Sequence, residues 1–371
     1  MRTGQNIYKR KDGRWEGRYF SGYNSNGRIK YTSIYAKSYG EVKEKLLSIK
    51  TSTAKTTVKY INVRFKNICY EWLNTKQDKI KPSSYAKYKF IIEKYITPYF
   101  ANKKLFEINK NSLNDLMAKN TSLSQGTLKN ISAVFKEIIS YINEAYDFSI
   151  ELKPYHFTKV NNKNFNVLSV SERERLELYL LKDTDLLKLG VLLCLYTGLR
   201  IGEVCAIKWC DIDLDNGILQ VNKTIQRIQN TDENSNNKTK VVIDVPKTSN
   251  SIRDIPIQKQ LIPLLAKYKL KYAQNSYLLT GNLNYIEPRA LQYKFKRLLE
   301  NAEVKNINFH ALRHTFATRA IESGLDIKSV SEILGHSSVS ITLEKYVHIT
   351  MEQKQKEINK LVTFNNLKMV K

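Results

Sequence analysis

Through the middle of the chain, apolar residues return every three or four positions. In SQGTLKNISAVFKEIISYINEA, Leu128, Ile131, Phe135, Ile138 and Ile142 keep that spacing and line one face of an amphipathic helix. KPSSYAKYKFIIEKYITPYF follows the same rule and is expected to end at Thr97-Pro98, because proline lacks the amide that a continuing helix needs. KKLFEINKNSLNDLMAKN, between them, adds a third short helix, so residues 58–160 predict a helical domain. At the N-terminus the period is two. YKRKDGRWEGRYF and GRIKYTSIY alternate apolar or aromatic with basic residues around SGYNSNG, a turn-forming cluster, and SYGEVKEKLLSIK then reads as a helix. TSTAKTT at 51–57 is small and polar, as a linker is.

The third part opens with LSVSERERLELYL, where Ser169 and Glu172 fit a capping box, and continues into DLLKLGVLLCLYTGL, apolar enough to be buried on all sides. GILQV, VVIDVP and SIRDIPI read as strands, with QNTDENSNNKTK a charged loop between the first two; helices then run to the end. The expected class is mainly α with small β elements, an α+β arrangement of an N-terminal sheet plus helix, a helical domain and a mixed helix and hairpin domain.

Charge changes the picture. The 371 residues carry 61 Lys and Arg against 35 Asp and Glu, a formal net charge of +26. The excess is spread along the chain: 12 basic against 4 acidic residues over 1–50, 19 against 9 over 51–165, and 30 against 22 over 166–371. A polyanion touching the whole length fits this better than one docked on a patch, and nucleic acid is the default candidate. No apolar run approaches the ~20 residues of a membrane helix, and the first residues lack the apolar stretch of a secretory signal. Cys69, Cys194, Cys205 and Cys210 have no CxxC spacing, so neither a zinc site nor a disulfide framework is expected and the reading is a reduced, cytoplasmic protein.

Three of the five histidines fall between His310 and Ser338. His310 and Arg313 share a helix face and can converge on one small anion. His310 and His314 have the spacing of two metal ligands, but Ala-Leu-Arg between them supplies no glutamate and the guanidinium repels a dication, so no metal is expected. Arg200 follows Gly198 at the end of the apolar helix and either pairs with Glu203 or awaits an anionic ligand. His336, behind Gly335, either caps a helix end or serves a site. Arg14, Arg18, Arg28 and Lys30 lie on the basic ribbon, which either enters a DNA groove or is a solvated face. Taken together, Arg200, Lys247, His310, Arg313, His336 and Tyr346 suit attack on a phosphodiester by a protein side chain. Guanidinium forks bind the non-bridging oxygens, cations or a base activate the phenol, and a lysine protonates the leaving oxygen.

In order and in local sequence, TGLRIGE, KTSNSIRDIPI, HALRHTFAT and LGHSSVSITLEKY resemble the tyrosine recombinases, the phage-integrase family, with the signature Arg…Lys…His-x-x-Arg…His…Tyr. The resemblance implies that Arg200 and Arg313 clamp the scissile phosphate, Lys247 is the general acid, His310 takes part in proton transfer, His336 hydrogen-bonds the phosphate, Tyr346 is the nucleophile and Glu203 orients the site; His314 is expected to support or pack. It implies a catalytic domain over 166–355, a core-binding domain over 58–160, an arm-binding three-stranded domain over 1–52 like that of lambda-type and conjugative-transposon integrases, and a tail, 356–371, of the kind passed to a neighbour. The expected activity is integration and excision of a mobile element through 3′-phosphotyrosyl intermediates and a Holliday junction, without ATP, metal or other cofactor. The expected partners are double-stranded DNA at core-type and arm-type sites, three further copies of the chain, and excision or DNA-bending factors. A dimer resolvase of the same family, a type IB-like topoisomerase and a non-enzymatic regulator are the alternatives.

Overall fold

Period-two alternation at the N-terminus produces a sheet. Ile7–Lys9 (β1), Trp15–Tyr23 (β2) and Ile29–Ala36 (β3) pair antiparallel in the order β1-β2-β3, with Trp15 opposite both Lys9 and Ala36. A helix over 39–48 (α1) covers one face, where Val42 and Leu46 pack on Ala36, Trp15, Tyr19 and Ile34. The structure, a computed structural model, describes residues 6–23, 29–48, 63–158, 167–232, 235–244 and 251–346. The linker expected at 51–57, Arg28, Lys247 and the tail 356–371 lie outside the described residues. The chain divides into two compact units, Met1–Asn162 with Gln229–Lys238, and Lys163–Ile228 with Thr239–Lys371.

The first unit continues with Phe65–Thr75 (α2), Pro82–Ile91 (α3), Thr97–Phe100 (α4), Ser112–Ala118 (α5) and Gln125–Ala145 (α6). Ser124 caps α6 by accepting from the Thr127 amide. All five periodic residues of α6 are buried, and Phe135 meets Phe65 and Phe100 with ring centroids 5.8 and 5.4 Å away. The stop expected at Thr97-Pro98 does not occur. A π-helical turn, Ile92–Ile96, widens the helix ahead of the proline, and α4 carries on to Phe100. The wide turn makes room for the proline ring, and the Thr97 hydroxyl donates to the Glu93 carbonyl at 3.0 Å.

The second unit opens with Val170–Leu181 (α7), closed at its start by the expected Ser169–Glu172 capping box, and Leu186–Thr197 (α8), buried from Leu189 to Leu195 and again at Thr197. Ile201–Ala206 (α9) follows. Ile212–Asp213 (β4), Ile218–Val221 (β5) and Arg253–Pro256 (β8) form one sheet in the order β4-β5-β8, with Val221 opposite Arg253. Thr224–Gln229 (β6) and Thr239–Asp244 (β7) form a separate pair. The pattern gives no sign of β6, because its buried residues, Ile225 and Ile228, lie three apart and not two. Ile262–Lys269 (α10), Pro288–Asn301 (α11), His310–Glu322 (α12), Ile327–Leu334 (α13) and Val339–Tyr346 (α14) complete the unit. The main core gathers α8, α9, the β4-β5-β8 sheet and α11, and a smaller cluster joins Ala317, Ala320, Val330, Leu334 and Tyr346. Among the described residues, no helix is long and apolar enough to cross a membrane.

Gly198 ends α8 in the left-handed region (φ 67°), where a Cβ would lie 2.6 Å from Phe316 and 2.7 Å from Leu334. Gly198→Ala combines a disfavoured φ with overpacking, and should lower stability by about 2 kcal/mol or more. Calorimetry should show the melting transition of this unit fall by roughly 4–8 °C; an unchanged transition would contradict the tight packing at this turn.

Candidate active site

Helix C-termini leave carbonyls without intrahelical partners and carry partial negative charge, so they attract cations. Two arginines use two such ends. Arg313, on the first turn of α12 and 1% exposed, donates from one nitrogen to the Gly198 carbonyl at 2.9 Å, beyond α8, and from the other to the Leu334 carbonyl at 2.7 Å, at the end of α13. Arg200 caps the start of α9 and donates to the carbonyl of Gly335 at 3.0 Å; Gly335 closes α13 with φ 64°. Thus α13 ends on both guanidinium groups.

Arg200 also closes a reciprocal cap with Glu203. Its amide donates to Oε2 at 2.9 Å, and its guanidinium to Oε1 at 2.6 Å. The same carboxylate accepts from both terminal nitrogens of Arg253 on β8, at 3.2 and 2.9 Å, and the Glu203 and Arg253 side chains are 3% and 6% exposed. Burial works to raise the Glu203 pKa. The Arg253 hydrogen bonds and charge, with the Arg200 charge, outweigh it and hold the group below the usual carboxylate range. The sequence pattern offered Arg253 only as part of a strand. Its signal was a basic residue inside the SIRDIPI segment, where the neighbouring Ile255 is buried.

His310 begins α12 and stands open to solvent on one side, His314 lies one turn on and is buried, and His336 follows Gly335. Surrounding protein, then the charges of Arg313, Lys345 and Arg200, press the His310 pKa down to about 4. Burial, then His310, Lys345 and Arg313, bring His314 to about 4. Burial, then Arg313, Arg200, Lys345 and Arg253, bring His336 to about 3. All three rings are therefore neutral at neutral pH. Arg313 is itself lowered to about 9 by burial and by Arg200, and stays charged.

Tyr346, the last residue of α14, is 7% exposed. Its hydroxyl meets His314 Nδ1 at 2.6 Å, and its ring lies parallel to His336, 5° apart in plane with centroids at 6.4 Å. His336 Nδ1 is held by the Thr342 hydroxyl at 2.9 Å. Burial raises the phenol pKa, against the opposing pull of Arg313 and Arg200, so the hydroxyl keeps its proton at neutral pH. Arg200, His310, Arg313, His336, Lys345 and Tyr346 all line one cleft of about 470 Å³. Residues far apart in sequence thus meet around one cleft. His314 and Lys345 join the site beside the residues that the motifs pointed to.

On the N-terminal sheet, Arg14 is bound to Asp12 at 2.8 Å and lies over the Tyr35 ring, and Arg18 donates to Glu16 at 2.9 Å. Glu16 also accepts from Ser33 at 2.7 Å and Arg10 at 2.9 Å. Lys30 lies in β3 opposite Gly22.

The profile described as "Phage integrase family" matches residues 182–353, and that described as "Phage integrase, N-terminal SAM-like domain" matches residues 64–120. The chain is 29% identical over 384 residues to a protein named "Tyrosine recombinase XerC-like" from Caldanaerobacter subterraneus subsp. tengcongensis, a match covering 93% of this chain and 94% of that one. It is 26% identical over 294 residues to the "ICEBs1 integrase" of Bacillus subtilis, covering 75% and 77%. In fold it is similar to the Tn1549 transposon integrase (residues 82–397) solved with transposon right-end DNA. That match has a TM-score of 0.65 at 18% identity and covers 81% of this chain and 100% of the other. Two domains of one family, matched in chain order with Arg200, His310, Arg313, His336 and Tyr346 gathered in the second, place the chain in the phage integrase family, among the tyrosine recombinases.

Proposed function

We propose that the protein integrates and excises a mobile genetic element, with Tyr346 as the nucleophile that cuts and rejoins each strand. The observation that carries this reading is the single cleft in which two guanidinium groups, two histidines and the Tyr346 phenol share a lining. Arg200 and Arg313 face the two non-bridging oxygens of the scissile phosphate. Their carbonyl bonds fix the forks in advance, so little reorganisation accompanies the growth of charge in the transition state. His336 hydrogen-bonds the same phosphate, and Thr342 holds the ring for it. Tyr346 attacks phosphorus, forms a 3′-phosphotyrosyl bond and expels the 5′-oxygen, which takes a proton from Lys247. A 5′-hydroxyl from the partner duplex then attacks the phosphotyrosine, and the phenol leaves. Bond energy stays in the covalent link, so ATP is not needed, and the arginines supply the charge that a metal would otherwise supply.

Four copies act on two duplexes through a Holliday junction, with the tail 356–371 reaching a neighbour, in the cytoplasm of the cell that carries the element. Residues 58–160 and 166–355 grip the core site. Residues 1–52 bind a second, arm-type class of site, an assignment favoured by the exposed Tyr8, Tyr31 and Tyr35 on the small sheet, with Arg10 and Arg14 over the Tyr35 ring. Accessory excision and DNA-bending factors set direction. This second DNA-binding surface favours an integrase over a dimer resolvase.

A duplex from the end of the element that encodes the chain, nicked just beyond the cleavage position so that rejoining is lost, tests the chemistry. In EDTA the protein should give a covalent protein–DNA band on a denaturing gel, and Tyr346→Phe should give none while binding the duplex equally well. A band from Tyr346→Phe would remove Tyr346 from the role. A chain beginning at residue 58 should keep the covalent band and lose protection of arm-type sites in a footprint; retained protection would remove the N-terminal sheet from that role. Glu203→Ala leaves the buried Arg253 without its carboxylate and should cost about 3 kcal/mol in urea unfolding. It should also slow single-turnover cleavage by roughly 10–100-fold, because Arg200 loses its anchor.

A further inference from the structure

Tyrosine attack requires the phenol to lose its proton, and burial makes that loss harder at Tyr346. Among the described contacts of its hydroxyl is one ring nitrogen, Nδ1 of His314, at 2.6 Å. Resting on the reading above, we infer that His314 is the general base that takes the Tyr346 proton during cleavage and returns it during rejoining. His314 carries none of the motif positions assigned to the phosphate. It sits on α12 one turn beyond His310 and is 8% exposed, so bulk water does not readily replace it as acceptor. The other two rings are placed for different work. His336 presents its face to the phenol ring and has Nδ1 committed to Thr342. His310 stands edge-on to His314, with centroids 4.6 Å apart, and borders the cleft, where it is placed to exchange a proton with His314 or with solvent.

The step balances. The tyrosine O–H bond breaks, its oxygen forms the bond to phosphorus, and the proton moves to His314 Nδ1. This uses the tautomer whose proton is on Nε2, so that Nδ1 is the acceptor. The P–O5′ bond breaks and the 5′-oxygen is protonated from the other side. On rejoining, the incoming 5′-hydroxyl returns its proton to the group that protonated the leaving 5′-oxygen, the new P–O5′ bond forms, the bond from phosphorus to Tyr346 breaks, and His314 gives its proton back to the phenolate. The neutral state of His314 at working pH, enforced by burial and by His310, Lys345 and Arg313, keeps Nδ1 available.

The full-length protein and the nicked duplex described above supply the test. His314→Asn places a hydrogen-bonding atom near Nδ1 but cannot take up a proton, and 3,5-difluorotyrosine in place of Tyr346 ionises without help from a base. His314→Asn should form the covalent band about 100-fold more slowly. Difluorotyrosine should recover most of that loss in the variant, while changing the rate of the protein with native His314 much less. A rate for His314→Asn within about threefold of the unaltered protein would overturn the inference, since a mere positioning bond survives in that variant. So would a deficit that difluorotyrosine leaves untouched, because that deficit comes from disturbed packing. Circular dichroism melting checks folding, and His314→Gln takes the place of His314→Asn if the latter does not fold. Absence of any covalent band from the unaltered protein, with either phenol, overturns the underlying integrase reading and this inference with it.

Discussion

The carboxylate of Glu203 accepts from Arg200, one turn away on the same short helix, and from Arg253, which arrives on a strand fifty residues later. A buried carboxylate alone is costly, and a buried guanidinium alone is costly too; together they neutralise much of each other's desolvation. Because Arg253 pairs with Val221 across the sheet, the ion pair fixes the β4-β5-β8 sheet against α9. The Arg200 fork is thereby aimed at the end of α13. The position and orientation of the Arg200 guanidinium thus depend on this carboxylate together with the Gly335 carbonyl.

Electrostatics in the cleft follow from what is placed around it. Arg200, Arg313, Lys345 and Arg253 contribute positive charge, and the buried carboxylate of Glu203 is already engaged by two of them. Burial first, and then this field, keep the imidazoles neutral, which suits them to accept and donate single hydrogen bonds without adding to the repulsion among the cations. On the proposed reading, an incoming phosphodiester would add negative charge beside these cations. Two left-handed glycines, Gly198 and Gly335, make the arrangement possible by turning helix-terminal carbonyls onto the two guanidinium groups.

Much of this was readable without coordinates. The burial of Leu128, Ile131, Phe135, Ile138 and Ile142 follows from helical spacing, and the Ser169–Glu172 cap from local hydrogen-bonding chemistry. The Pro98 region was misread because the rule assumes an ordinary α-helical turn, and a π turn removes the clash that the rule depends on. Strand β6 gave no period-two signal, since its two buried residues, Ile225 and Ile228, lie three apart and therefore on opposite faces of the strand.

For the site, sequence by itself determined which residue types were present and in what order: two arginines, a lysine, histidines and a tyrosine at motif spacing. Only the tertiary structure decided which of them touch. That Arg253 shares Glu203 with Arg200, that α13 ends on both Arg200 and Arg313, and that His314 meets the Tyr346 hydroxyl are contacts between residues from 21 to 135 positions apart. Periodicity and capping act over a few residues through local geometry, whereas these contacts depend on the folding of separate helices and a strand onto one core, which no local pattern encodes.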